Sequence, residues 1–289
     1  MSVLIVGARG QLGQELLRYV PSATEVVALG SDQLDVTDTQ AVQRTIEAVG
    51  PQIVINAAAY TAVDLAETHP GRAMAVNQYG ARDVAQAAHS VGARVIHIST
   101  DYVFDGQRGI PYEPDSEPNP LSVYGATKLA GEQAVLDVTQ GDALIVRTAW
   151  LYASHGANFL LTMVRKMMDG STIRVIDDHV STPTWAGSLA RVLWQVSGHP
   201  ELRGIHHWTD AGVASWYDFA IAIQEEGAAL GVLPGTAPII PIPSIAYPTP
   251  ARRPSYSVLR TRVLRDALGI SGTHWRLHVR CALKELVHA

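Results

Sequence analysis

Tyr124 and Lys128 stand four residues apart in Tyr124-Gly-Ala-Thr-Lys128, a spacing that puts both side chains on one helix face. An ammonium beside a phenol favours the phenolate and lowers its pKa, which would let Tyr124 exchange a proton near neutral pH. The same lysine could hydrogen-bond a ribose. By itself the pair also fits a solvated helix face, so its setting decides. Upstream runs Ile98-Ser99-Thr100-Asp101-Tyr102-Val103-Phe104, the end of an apolar strand pattern that closes on hydroxyls. Thr100 is placed there to hydrogen-bond a reacting carbonyl and stabilise developing alkoxide charge, and Ser99 is assigned to capping the strand end.

A third feature is the loop Gly7-Ala8-Arg9-Gly10-Gln11-Leu12-Gly13. Early glycines allow a tight turn and close backbone approach, and the last lets helix and strand pack closely. Free N–H groups and the helix dipole then favour a pyrophosphate. The next strand ends at Leu29, and Gly30 occupies the usual position of a ribose-binding carboxylate. Without that charge a 2′-phosphate is not repelled, which admits NADPH as well as NADH. Asp35-Val36 could flank an adenine; for Asp35 and Asp38 the structural alternative is helix capping, the role assigned to Asp38. In Asn56-Ala-Ala-Ala-Tyr60-Thr61-Ala-Val-Asp64, the alanines suit either a flat ligand or close strand–helix packing. Asn77 is expected to orient backbone or water near the lysine, or to serve structure alone.

The elements that must position these groups alternate. Strands are expected at Ser2–Val6, Glu25–Leu29, Gln52–Asn56, Arg94–Ser99 and Ala143–Thr148, rich in Val and Ile and apolar on both faces. Helices are expected near Gln11–Tyr19, Thr39–Val49, Gly71–Val91 and Val123–Val138. This order predicts a Rossmann-type doubly wound parallel α/β sheet, residues 1–150, with ligands at the strand C-terminal ends. Residues 151–289 are expected to form mainly a smaller α/β substrate lobe, with a soft boundary and further crossings. There Thr172–Ile176 and Gly204–Trp208 read as short strands. Pro238–Pro254 reads as ordered loop over a cleft, because proline lacks a donor for a sheet centre.

The 289 residues are 47% hydrophobic and 17% charged, with net charge −5, which suits a globular protein and gives no basic footprint for nucleic acid. No apolar run approaches the roughly 20 residues of a membrane span, and Met1–Gly7 lacks a basic leader segment. The single cysteine, Cys281, rules out an intrachain disulfide. A cytoplasmic protein is expected.

The chain resembles the dTDP-4-dehydrorhamnose reductases, extended short-chain dehydrogenases, over essentially its full length. The resemblance rests on Gly10–Gly13, Asn56–Asp64 with Glu67, Ser99–Gly106, Tyr124–Glu132, Arg147–Tyr152, Ser215–Ala220 and Tyr247–Pro254. It implies reversible hydride transfer between a nicotinamide and C4 of a dTDP-linked 6-deoxy-4-keto sugar. Tyr124 would protonate the C4 oxygen, Lys128 would support it, and Thr100 would hold the oxygen. Gly7, Gly10, Gln11, Leu12, Asp35, Val36, Ala59, Tyr60 and Thr61 would line the cofactor with Tyr124 and Lys128. Thr61, Val63, Thr100, Asp101, Tyr102 and Trp150 would approach the sugar. Arg252 and Arg253 would meet the substrate pyrophosphate, for which a guanidinium fork is suited; their alternative is a surface basic pair.

Departures from the family pattern are Ser181 and Tyr256, both expected near the sugar-nucleotide cleft. Some relatives bind Mg²⁺ through glutamates at a dimer contact. Glu15 and Glu285 match two such positions and Gly187 stands at the third, so the set is incomplete and both glutamates could be solvated helix charges; a homodimer stays open. Asp177-Asp178-His179 and His206-His207 lack metal-ligand spacing, and no metal site is assigned. Met163, Met167 and Met168 read as core filler, and Trp208, Trp216 and Tyr217 as lobe-packing aromatics. Two other functions compete. An epimerase or dehydratase of this fold carries Asp-Glu after the hydroxyl, whereas here Asp101-Tyr102 follows. A non-catalytic nucleotide-binding subunit would have no use for Thr100, Tyr124 and Lys128 together.

Overall fold

The computed structural model describes residues 1–234 and 237–287. Its centre is a parallel sheet of β1 (Ser2–Val6), β2 (Glu25–Leu29), β3 (Ile53–Asn56), β4 (Arg94–Thr100), β5 (Leu144–Thr148) and an edge strand, Gly204–His207. The spatial order is Gly204–His207, β5, β4, β3, β1, β2. β1 therefore has β2 on one side and β3 on the other, with Val6 level with Leu29 and Asn56. Strand order reverses there, which opens a crevice beyond the strand C-terminal ends.

Alternating side chains of β1 build two cores. Val3 and Ile5 join Leu12, Leu16, Leu189 and Leu193 on one face. Leu4 and Val6 join Val42, Ile46, Val84 and Val135 on the other. Each such aliphatic side chain contributes about 1.5–3 kcal/mol on burial. β1, β3 and β5 are buried almost throughout. β2 corrects the expectation of apolar burial on both faces, because it lies at the sheet edge and stays partly exposed.

The helix expected at Gly71–Val91 is interrupted. A helical turn at Pro70–Met74 runs into a π-helical turn, Ala75–Gly80, and then Ala81–Ser90. Such turns frequently mark functional positions, and this one buries Asn77.

A third core, in the second lobe, gathers Tyr152, Trp185, Phe219 and Trp275 with Met163 and Met167. Met168 is exposed and is not core filler. Ser215 opens the helix Trp216–Ala229 with a capping box to Asp218. The chain crosses back: the helix Ala186–Ser197 supplies Leu189, Leu193 and Trp194 to the first core, and Gly204–His207 joins the main sheet beside β5. Trp208 likewise packs in the first core. The proline-rich passage is not all loop, since Ile239–Ile242 pairs in parallel with Ile173–Ile176. A two-stranded ribbon has only edge strands, where Pro241 is tolerated.

Candidate active site

The glycine loop follows β1 and opens the helix α1, Gln11–Arg18. Gly7 has φ +86°, and a Cβ there would lie 2.6 Å from the Ala58 nitrogen. A Cβ on Gly13 would lie 2.4 Å from the Gly7 carbonyl oxygen. Gly10 is the N-cap and provides no side-chain cap, so first-turn amides at Gln11 and Leu12 remain for an anion. This cradle fits the pyrophosphate of a dinucleotide. At the end of β2, a Cβ on Gly30 would meet the Arg9 side chain at 2.7 Å. Arg9 reaches over this position and pairs with Asp32 at 2.7 Å, both exposed. A cation in place of a carboxylate at the ribose end favours a 2′-phosphate. The sequence reading passed over Arg9, although a cation inside the loop was visible.

Asp38 caps its helix by accepting from the Ala41 amide at 2.9 Å. Asp35 accepts from the Thr37 amide and hydroxyl, bonds that hold its carboxyl below the usual range. Val36 is buried under Gly80. Neither lines the cleft described next, so the adenine-flanking positions are not brought to it.

A cleft of about 430 Å³ lies over the crevice. Its wall includes Gly10, Gln11, Leu12, Ala59 and Thr61 on one side and Thr100, Tyr124, Lys128 and Trp150 on the other. Tyr60 sits behind this wall: its amide donates to Asn77 Oδ1 at 2.8 Å, and its carbonyl accepts from Asn77 Nδ2 at 3.1 Å. Asn77 also donates to Thr127 Oγ1 at 3.1 Å. It thus ties the Ala57–Thr61 segment to the helix that carries Tyr124 and Lys128, rather than serving the lysine. Val63 begins the next helix, Val63–Thr68, and is outside the cleft wall.

The helix that carries Tyr124 and Lys128 is Val123–Val138, capped by Ser122, whose hydroxyl accepts from the Gly125 amide at 3.1 Å. Glu67 accepts from the Val123 amide at 2.8 Å. A Cβ on Gly125 would lie 2.2 Å from the Tyr102 carbonyl oxygen, and one on Gly131 2.1 Å from that of Asn77. Two glycines thus set the depth of Tyr124 and Lys128. At the next turn, Arg147 of β5 holds Glu132 through two bonds of 2.9 and 2.7 Å, both residues buried.

Burial pushes the Tyr124 phenol up to about 12, opposed by hydrogen bonding with Thr100. Burial brings Lys128 down to about 8, opposed by Glu132. The Lys128 ammonium donates to the Ile98 carbonyl at 2.6 Å. The expected lowering of the phenol by the lysine is therefore corrected: the shift of Tyr124 comes from burial and the Asp101 charge, which raise it, and from Thr100, with no contribution from Lys128. A protonated phenol is the form that donates.

Thr100 caps the turn Asp101–Val103, accepting from the Tyr102 amide at 3.2 Å. The capping role expected of Ser99 belongs to Thr100, while Ser99 lies in the cleft wall with its hydroxyl buried and without a hydrogen-bond partner. Asp101 does not face the cleft. Its buried carboxyl accepts from Ser257 at 2.5 Å and Ser181 at 3.3 Å, and Thr100 Oγ1 is 3.1 Å away. Burial raises it to about 6. The departure residue Ser181 thus serves this knot between the lobes. Tyr102 packs edge-on against Tyr124, ring centroids 5.7 Å apart, and faces the Arg253 guanidinium.

A larger cleft of about 1030 Å³ lies in the second lobe, with Arg252 and Arg253 in its wall beside Lys166, Arg174, Trp216 and Tyr247. Arg253 is committed: it grips Asp64 through bonds of 3.0 and 2.7 Å. Arg252, Lys166 and Arg174 are exposed and make no ion pair with the described residues. Sequence reading missed Lys166 and Arg174, which lie far along the chain from any motif. Trp150, at φ +44°, stacks on Trp216 at 3.5 Å and joins the two clefts. Trp216 is therefore more than lobe packing.

The positions implied for Mg²⁺ do not fit a cation. Glu15 is buried, not solvated, and pairs with His155 at 2.9 Å. Glu285 binds Arg18 at 2.5 Å and Ser154 at 2.6 Å. Glu15 Oε2 lacks a partner, yet one oxygen beside a guanidinium is not a ligand set. A Cβ on Gly187 would lie 2.5 Å from the Trp185 ring, leaving no space for a third carboxylate. Among the described residues no cluster of three or more His, Cys, Asp or Glu could hold a metal.

The parallel sheet, the glycine cradle at its switch point and the Thr100–Tyr124–Lys128 group define a short-chain dehydrogenase/reductase of the Rossmann type. Residues 1–288 match the family described as RmlD substrate binding domain. A dTDP-4-dehydrorhamnose reductase of Burkholderia thailandensis is 40% identical, covering 99% of both chains. Crystal structures of such reductases from Clostridium acetobutylicum (38% identity, TM-score 0.93, covering 99% of this chain and 100% of that one) and Bacillus anthracis (34%, 0.92, 98% and 99%) are closely similar, the latter in complex with NADP. The chain belongs to the dTDP-4-dehydrorhamnose reductase family, a family of NADP-dependent oxidoreductases.

Proposed function

We propose that the protein reduces the C4 keto group of a dTDP-linked 4-dehydro-6-deoxy sugar, dTDP-4-dehydro-L-rhamnose, with NADPH. The observation carrying this reading is that Thr100, Tyr124 and Lys128 share one cleft with the glycine cradle, next to a second cleft bearing exposed cations that make no ion pair with the described residues. NADPH supplies the hydride when bound. The Gln11 and Leu12 amides would hold its pyrophosphate, and Arg9 its 2′-phosphate. Thr100 would donate to the sugar C4 oxygen, stabilising charge as it develops. Tyr124 would transfer its phenolic proton to that oxygen, and Lys128 would stabilise the phenolate left behind. Trp150 and Trp216 would cover the sugar and exclude water.

Arg252, Arg174 and Lys166 would meet the diphosphate. This refines the assignment of Arg253, whose fork is held by Asp64 and which instead joins the lobes. The test is oxidation of NADPH and NADH by the purified protein with dTDP-4-dehydro-L-rhamnose, product sugar identified by chromatography. The expected outcome is dTDP-L-rhamnose, formed faster with NADPH. Absence of turnover with either cofactor, despite saturable NADPH binding, would favour the non-catalytic reading.

A further inference from the structure

We propose that His97 is a positioning residue for Lys128: its imidazole accepts one N–H of the buried ammonium, so that the last N–H is aimed into the cleft. An ammonium has three donors in a fixed tetrahedral arrangement. The Ile98 carbonyl takes one at 2.6 Å, and His97 Nε2 stands at 3.4 Å as a second acceptor. Both acceptors belong to β4, which is locked between β3 and β5. Lys128 also reaches the cleft wall beside Tyr124 and Thr100. With two N–H groups claimed by β4, the third faces the reacting groups.

His97 is fully buried, and burial together with the charge of Lys128 holds its imidazole neutral. A neutral ring offers one lone-pair nitrogen, so acceptance at Nε2 places the proton on Nδ1. Nδ1 is buried without a partner, a cost that an aliphatic residue would avoid. Its β4 neighbours Val95, Ile96 and Ile98 are aliphatic, and Lys128 is the one side chain among the described residues to which His97 hydrogen-bonds. The imidazole at this core position is explained by the lysine it holds.

The groups around Lys128 allow the effect to be isolated. His97 comes from β4, Tyr124 and Glu132 come from the lysine's own helix, and Arg147 of β5 keeps Glu132 in a bidentate pair. Replacing His97 leaves that pair in place. Removing an acceptor destabilises the charged ammonium and lowers its pKa further. Glutamine can place an amide oxygen where Nε2 lies; asparagine reaches only the Nδ1 position.

The chain has three lysines, so the Lys128 resonance is assignable in ¹³C-lysine-labelled full-length protein. Its titration is to be followed in the parent, His97→Gln, His97→Asn and His97→Leu. The parent is expected to titrate near 8, His97→Gln within about 0.3 units of it, and His97→Asn and His97→Leu lower by about one unit. The alkaline limb of kcat/KM, where the ammonium form is lost as pH rises, should move in parallel. An unshifted Lys128 in His97→Asn, or a His97→Gln shifted as far as His97→Asn, would overturn the proposal. The titration requires no sugar substrate, so it can fail or succeed independently of the reductase reading. The Gln/Asn contrast still decides if the leucine variant does not fold.

Discussion

The two clefts are built on opposite principles. The smaller is walled by strand ends and a helix whose depth is set by Gly125 and Gly131, with Cβ clearances of 2.2 and 2.1 Å to facing carbonyl oxygens. Of its chemistry-bearing side chains, Lys128 is buried and bonded into β4, and Tyr124, half-buried, is held against Thr100. The larger is walled by the strand Ile173–Ile176, one face of the helix Phe159–Met168, loops and the exposed cations Lys166, Arg174 and Arg252. The difference teaches that rigid packing serves the reacting atoms, where an error of about 1 Å can cost a hundredfold. Long mobile charges serve the remote part of a ligand, where reach matters more than exact placement.

The contrast can be broken most severely in the smaller cleft. Tyr124→Phe is expected to lower kcat by about 10²–10⁴-fold, the range for loss of a positioned proton donor, with the NADPH Kd unchanged by calorimetry. Glu132→Ala leaves Arg147 buried and unpaired, and should cost about 3–5 kcal/mol of unfolding free energy in urea denaturation. In the larger cleft, Arg174→Ala and Arg252→Ala should each raise KM for the sugar nucleotide about tenfold, roughly the 1.4 kcal/mol of one charge-assisted contact. Their kcat should stay near the parent value, because those contacts are the same in ground and transition states. Arg9→Ala should have the smallest effect, about a fivefold rise in KM for NADPH with none for NADH, since its ion pair with Asp32 is exposed. Loss of kcat without change of KM in the Arg174 or Arg252 variants would erase the distinction between the clefts.

The same contrast governs what the sequence made legible. The glycine loop and the Tyr124–Lys128 spacing are local, so period and spacing carry them, and the strands that position them alternate clearly with helices. The capping assigned to Ser99 falls to Thr100 because neighbouring hydroxyls at a strand end differ only in the face they take. Arg253 could not be assigned from its pair with Arg252, because its partner Asp64 lies 189 residues away. Asp101 read as a substrate contact and is a buried knot closed by Ser181 and Ser257. Desolvation, which reverses the expected shift of Tyr124, has no sequence signal at all. Long-range pairing and burial are properties of the packed chain.

The central claim is that the smaller cleft passes a hydride from nicotinamide to C4 of the sugar while Tyr124 supplies the proton. Its most direct test is turnover of dTDP-4-dehydro-L-rhamnose with NADPH deuterated at the transferable C4 position, the product being read by NMR. Deuterium at sugar C4 in the parent enzyme, with the signal absent over the same time in Tyr124→Phe, is the predicted result. Product free of deuterium at C4, or Tyr124→Phe turning over at the parent rate, would contradict it.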